Sequence, residues 1–162
     1  MKQKININDL KPNENNPRYI KDVKFVKLLQ SIKQSPSFME MNPIKVDENM
    51  VILGGNMRFK ACKHLGWSEV PFEIFTREMA DQNNAERQKQ GIDVASYEYQ
   101  CKEYIVKDNV GFGEWDFDIL ANQFILEDLE NWGLDILANE DDEIIEKEDK
   151  ETNEDVCELC GK

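Results

Sequence analysis

The stretch Val51-Ile52-Leu53-Gly54-Gly55-Asn56-Met57-Arg58-Phe59-Lys60-Ala61 constrains this chain more than any other. A four-residue apolar run is too short for a buried helix and reads as a strand. Two glycines then turn the backbone tightly and leave room for a close approach, and a helical sequence follows at once. The first turn of a helix presents N–H groups without intrahelical acceptors, where an anion can be held. The stretch therefore has the local geometry of a phosphate site. A plain tight turn without a ligand satisfies the same residues, so the decision falls to the rest of the chain.

Ahead of this corner, Ile5, Ile7 and Leu10 alternate with polar residues and predict an edge strand. Pro12 and Pro17 bracket an Asn-rich loop that presents Arg18. From Asp22, read as an N-cap, Phe25, Leu28, Leu29 and Ile32 predict an amphipathic helix. Residues 35–42 read as a loop. Residues 43–46 and 50–53 read as the two strands of a hairpin turning at Asp47-Glu48-Asn49. Behind the corner, Phe59, Cys62 and Leu65 continue a helix to Gly66, a natural stop, and residues 70–75 form a further strand whose early Pro71 suits a strand start or an edge.

Residues 78–107 predict two helices separated near Gly91. The first is polar, with Asp81-Gln82-Asn83-Asn84 at its middle and little to bury, and the second resumes at Asp93 with an apolar stripe. Two short helices follow between Trp115 and Gly133. Aromatic residues at helical spacing are commonly core, and Trp115, Phe117, Phe124 and Trp132 are read that way, with a partner surface as the alternative.

Charge separates the chain into parts. Residues 114–162 hold 18 acidic and 3 basic residues, whereas residues 1–113 hold 15 acidic and 17 basic ones. The net charge of −13 thus belongs to the C-terminal part and says little about what the N-terminal body binds. Residues 137–162 are too acidic and too poor in apolar residues for a core, and are expected to be a disordered tail. The MKQKININDL start lacks the apolar block of a signal peptide, and no run of apolar residues is long enough to span a bilayer, which points to a cytoplasmic protein without membrane contact. Cys62 and Cys101 fall in helical patterns as small buried residues. Cys157 and Cys160 form a C-x-x-C, half of a zinc site; a shared or completed zinc site and an unstructured reduced tail are the two readings. His64, the single histidine, has no triad partners and is read as structural or surface.

Taken together, Asn16-Pro17-Arg18, Leu28-x-x-Ser31-Ile32, Pro43-Ile44-x-Val46, Gly54-Gly55 with Arg58 and Ala61, and Val70-Pro71 resemble the ParB N-terminal/sulfiredoxin-like superfamily across about residues 5–75. The resemblance implies an α+β fold, a small mixed sheet with packed helices, here followed by a helical extension and the acidic tail. The expected divisions are 1–76, 77–136 and 137–162. In sulfiredoxins the corresponding box holds ATP, and in ParB proteins CTP. By resemblance Gly54, Gly55, Asn56, Met57 and Arg58 line a triphosphate pocket, with Mg²⁺ accompanying the nucleotide and Arg18 approaching from the other side. Asn56 stands where sulfiredoxins carry their cysteine, and an amide has no thiolate chemistry. Met57 stands where ParB proteins carry an arginine, which removes one phosphate-binding charge.

Residues 107–136 resemble the segment that follows ParB-like domains in phage and mobile-element proteins, many of them linked to DNA methyltransferases. The expected function is a nucleotide-binding switch or accessory protein in DNA modification, processing or partition, with DNA or a DNA-modifying enzyme as partner and a homodimer as a further expectation. Two alternatives stand beside it: a nuclease or NTPase, for which Glu14, Asp47 and Glu48 lie nearest the site but show no diagnostic spacing, and an interaction module with a vestigial pocket. No complete catalytic constellation is legible.

Overall fold

The computed structural model describes residues 3–14, 20–110 and 116–135. Arg18, Trp115, the acidic tail and the Cys157/Cys160 pair lie outside the described residues. By contacts the chain divides after Trp115 into two units. The helices expected beyond residue 76 are shared between them.

The first unit is built on a four-stranded mixed sheet of β1 (Lys4–Asn6), β2 (Ile44–Val46), β3 (Ile52–Gly54) and β4 (Glu69–Ile74) in the order β1-β4-β2-β3. β1 runs antiparallel to β4, β4 parallel to β2, and β2 antiparallel to β3. The helices of this unit are α1 (Asp22–Gln34), α2 (Ser37–Met41), α3 (Asn56–His64), α4 (Arg77–Lys89) and α5 (Tyr97–Asn109). This is the α+β class that the sequence predicts.

β1 is an edge strand, as expected, but it stops at Asn6. The Asn6 Oδ1 accepts from the Asn8 N–H at 2.9 Å and closes a 3-10 turn over Ile7–Asp9, so a local side-chain bond overrides the alternating pattern. Asp22 is the first helical residue of α1 rather than its cap. The stretch read as a loop contains α2, which buries Met39 completely. The hairpin forms where predicted, and Asp47 organises its turn by accepting from the N–H groups of Asn49 at 2.8 Å and Val51 at 2.9 Å. β4 is an interior strand, so of the two positions that Pro71 suited, an edge or a strand start, the edge is ruled out, and Pro71 stands third in β4, just ahead of its pairing with β2. Phe72 donates to the Gln3 carbonyl on the β1 side and Phe75 to Val46 on the β2 side. By that alternation the nitrogen of Pro71 faces β2 before the β2–β4 pairing begins at Ile44–Phe72, where no ladder bond is due.

Ile32, Met39, Ile44, Val46, Ile52, Cys62 and Val70 form the fully buried centre of one core. A second cluster gathers Leu53, Phe75, Ala80, Tyr97 and Cys101 beneath α4 and α5. There the Phe75 ring stacks on Tyr97 and on Tyr104, each with centroids 5.6 Å apart. The Tyr97 hydroxyl donates to the Phe75 carbonyl at 2.7 Å and accepts from the Glu48 N–H at 3.0 Å. Burial pushes that hydroxyl up to about 12.

α5 begins at Tyr97, capped by Ser96, rather than at Asp93. The reason lies in α4. The Asn84 side chain donates to the Ala95 carbonyl and accepts from the Ala95 N–H, both at 2.9 Å, which holds the approach to α5 extended. Gln100, buried, adds bonds to Ala80, Asn84 and Ala95. The asparagines that made α4 look poorly anchored are thus its attachment. Asn84→Ala removes three partly buried side-chain bonds at once and is expected to cost about 1–3 kcal/mol in chemical denaturation.

The second unit contains α6 (Phe117–Gln123) and α7 (Leu126–Asn131). Asp116 caps α6 through a 3.0 Å bond from Ile119 N–H, and Gly133, at φ 100°, ends α7. The core reading of its aromatic residues fails for those described. Phe117, Phe124 and Trp132 are exposed, while Leu120 and Leu129 are buried instead. Among the described residues no helix is long and apolar enough to cross a membrane.

Candidate functional site

The corner between β3 and α3 has the form the sequence implied, but its parts do different things. Gly55 has φ 94°, in the left-handed region that favours glycine, and serves as the N-cap of α3 with no side chain to close the helix end. The first helical bond runs from Phe59 N–H to the Gly55 carbonyl at 2.8 Å. The amides of Asn56, Met57 and Arg58 therefore precede the intrahelical ladder and lie at the positive end of its dipole. At the other end, Gly66 N–H bonds to Lys63 and Trp67 N–H to Cys62, the paired bonds of a Schellman stop, with Gly66 at φ 77°.

Arg58 is half-buried and folds back over the turn. Its Nη2 donates to the Pro43 carbonyl at 3.4 Å, and a Cβ on Gly55 would sit 2.9 Å from that same nitrogen. Gly55 thus serves the backbone turn and the seat of the guanidinium together. Asn56 is buried, and its Oδ1 accepts from the Asn13 N–H at 3.4 Å. Lys11 donates to the Met50 carbonyl and accepts from the Ile52 N–H, both at 2.9 Å, so the loop after β1 is stitched along β3 to the start of α3. Met57 is half-buried. The structure brings Gly54, Gly55, Asn56, Met57 and Arg58 together with Asn13, which sequence reading had not singled out. Arg18, assigned a second phosphate contact by resemblance, is outside the described residues.

Gly54 answers a different demand. A Cβ on it would fall inside contact distance of the Asp108 carboxylate and 3.4 Å from the Lys45 stem. Asp108, near the C-terminal end of α5, pairs with Lys45 of β2, whose ammonium also lies 5.9 Å from the Tyr104 ring centre. A carboxylate in the last turn of a helix opposes the helix dipole, and the Lys45 partner offsets that. Gly54 is therefore glycine because a helix some fifty residues later docks there. Lys45 and Asp108 are separated by 63 residues, and no local pattern announces them.

Of the neighbouring acids, Asp47 and Glu48 are occupied structurally. Asp47 holds the hairpin turn, and Glu48 accepts from the Arg77 N–H at 2.7 Å and pairs with its guanidinium at 3.3 Å. Glu14 is exposed. Cys62 and Cys101 are buried free thiols, as read from the sequence, and burial pushes the Cys62 thiol up to about 11 against the opposing pull of Arg58. His64 is exposed and meets the Phe25 ring edge-on at 6.4 Å. Among the described residues no three metal-ligating side chains converge. A cleft of about 230 Å³ between α4 and α5 is lined by Asn83, Arg87, Gln100, Glu103 and Lys107 among others. Its charges bond one another: Arg87 meets Glu103 at 2.5 Å and Lys107 meets it at 2.6 Å.

Residues 1–90 of the chain match the ParB N-terminal domain. The chain belongs to the ParB N-terminal domain family. Among curated relatives, a probable chromosome-partitioning protein ParB of Rickettsia typhi is 40% identical over 73 residues, and one of Rickettsia felis 36% over 72. Each alignment takes in 44% of this chain and 24% of the relative, so the chain spans about a quarter of the length of the proteins it matches. In fold it is similar to the C-terminally truncated chromosome-partitioning protein ParB of Caulobacter crescentus solved with CTP-gamma-S. The TM-score is 0.53 at 16% identity, over 82% of this chain and 70% of that one. At that identity the likeness is one of fold. The matched residues take in the β3–α3 corner and all four strands; Asp108, the α5 partner of Lys45, lies beyond them.

Three outcomes follow. Gly55→Ala forces a side chain into the left-handed region and is expected to cost about 1–3 kcal/mol. Gly54→Ala is expected to destabilise through Asp108, so the pair Gly54→Ala and Asp108→Ala should be non-additive in a double-mutant cycle. Because the folded pKa of Tyr97 exceeds its ordinary value of 10, folding favours the protonated phenol. Its contribution is full below pH 10 and is lost as pH rises from 10 towards 12, and denaturation series across that window should show the decline.

Proposed function

We propose that the β3–α3 corner binds the phosphates of a nucleoside triphosphate, CTP or ATP with Mg²⁺. The observation that carries this reading is a helix start capped by a left-handed Gly55 with no capping side chain, with the Arg58 guanidinium laid over the same turn. The amides of Asn56 to Arg58 would meet phosphate oxygens, Arg58 would turn from Pro43 to the ligand, and Asn56 would keep the Asn13 loop at the site's edge. CTP is the first ligand to try, since the Caulobacter crescentus ParB of like fold was solved with CTP-gamma-S. A bound Mg²⁺ would neutralise phosphate charge; no reaction is assigned to the site.

On this reading residues 1–76 carry the ligand and residues 77–136 are the extension that responds to it. The pathway from one to the other is the Asp108–Lys45 contact beside the turn. The wider role we infer is that of a ligand-dependent module in DNA partition, modification or processing, in a phage or mobile-element setting, with DNA or a DNA-modifying enzyme such as a methyltransferase at the receiving end. The curated relatives' naming as chromosome-partitioning proteins supports the DNA association.

Isothermal titration of the full chain with CTP, ATP and GTP in Mg²⁺ is expected to show one saturable site. Arg58→Ala should weaken it about 10–150-fold, the equivalent of a charge-assisted hydrogen bond of ~1.5–3 kcal/mol. Arg18→Ala reports on the second contact implied by resemblance. Absence of heat and of thermal stabilisation with all three nucleotides would sink the reading.

A further inference from the structure

A negative charge is seated on the turn that leads into α3. Asp108 is the penultimate residue of α5, its side chain is only 16% exposed, and its carboxylate lies against Gly54, the residue just ahead of Gly55. A carboxylate in the last turn of a helix opposes the dipole, and burial adds the cost of leaving water. Lys45 answers the charge. It stands opposite Gly54 on the β2–β3 ladder, its stem passes 3.4 Å from where a Gly54 Cβ would be, and its ammonium pairs with Asp108. A buried pair of this kind adds little net stability over an apolar one, so its distinguishing property is the field it sets up at the turn.

That field reaches the start of α3. The Cβ position on Gly54 falls inside contact distance of the Asp108 carboxylate, and consecutive Cα atoms are about 3.8 Å apart. The carboxylate therefore stands within roughly 10 Å of the Asn56 amide, whichever way the intervening groups point. Over such a distance near a protein surface two charges still interact, and a partly buried charge is screened by salt less than an exposed one. A triphosphate stays net negative with Mg²⁺ bound, so Asp108 repels it. When the end of α5 is displaced the carboxylate leaves, while Lys45 stays on β2 beside Gly54, and both changes favour an anion.

We infer that Asp108 is an antagonist of the anionic ligand: seating of the α5 end on Gly54 weakens triphosphate binding at the corner, and the bound triphosphate loosens that end. This rests on the nucleotide reading of the corner and gives its coupling a direction. Coupling between two binding events is reciprocal, so docked Asp108 weakens the ligand by the same factor as the ligand weakens docking. The release is confined to one end of α5. At the other, the Tyr97 hydroxyl spans Phe75 and Glu48, and Asn84 holds Ala95 by both backbone groups.

The test uses the full chain, with affinity for CTP and ATP in Mg²⁺ read by isothermal titration and opening of α5 read by hydrogen–deuterium exchange. Asp108→Asn keeps the shape and removes the charge. The variant is expected to bind nucleotide about three- to tenfold more tightly at low salt, an advantage that shrinks as salt is added. In the unmodified chain, saturating nucleotide should speed exchange of the amides of residues 105–109 and leave those of residues 101–104 unchanged. Equal affinity, or weaker binding by Asp108→Asn, overturns the inference and leaves the nucleotide reading standing. Exchange in the last turn of α5 that nucleotide leaves unchanged or slows overturns it as well, and that measurement needs no variant. Absence of binding by both chains removes the nucleotide reading and this inference with it.

Discussion

The left-handed backbone at Gly55 is the constraint on which the rest of the first unit depends. It lets β3 end and α3 begin within one residue, with the helix end left open because glycine brings no capping group. Everything that faces the corner is placed by that turn. The Arg58 guanidinium occupies the space a side chain would take, Ile44 packs within 3.1 Å of where its Cβ would stand, and Asn56 reaches across to the Asn13 backbone. The strands bring the same point together from outside. β2 supplies Pro43 and Lys45, and Lys11 runs beside Val51 so that the first loop arrives at the helix start.

A second set of contacts, polar rather than apolar, joins α4 and α5 to this frame. Tyr97 spans from the end of β4 to the hairpin turn with one hydroxyl, Asn84 holds Ala95 by both backbone groups, and Asp108 settles over Gly54 against Lys45. Each is partly or wholly buried, where an unmade bond costs more than a made one contributes. The consequence is specificity of placement: these helices can slide little on an apolar surface without leaving amides, a phenol or a carboxylate unsatisfied. The glycine pair therefore has two masters. Gly55 serves the open helix end, and Gly54 the docking of α5, one residue away. The corner lies within the residues that match the ParB N-terminal domain, and Asp108, which docks against it, lies outside them.

The second unit follows the opposite logic. Its two helices are capped and stopped by local signals, yet they enclose little. Periodicity predicted helices there correctly, but helical spacing of aromatic residues tells only that they share a face, not whether another surface covers it.

Read from the sequence alone, this protein yields its hairpin at residues 43–53, the turn and helix that follow, the Gly66 stop, the burial of Cys62 and Cys101, and the division of charge between its halves. Each of these is encoded within a few residues by glycine placement, periodicity or composition. Only the tertiary structure decided that β4 is interior despite Pro71, that α5 starts at Tyr97, that Asn84 and Gln100 anchor α4, and that Gly54 makes room for Asp108. Those outcomes rest on polar pairs between elements distant in the chain or across a sheet order that differs from chain order. Such pairs leave no period and no spacing for a sequence to display.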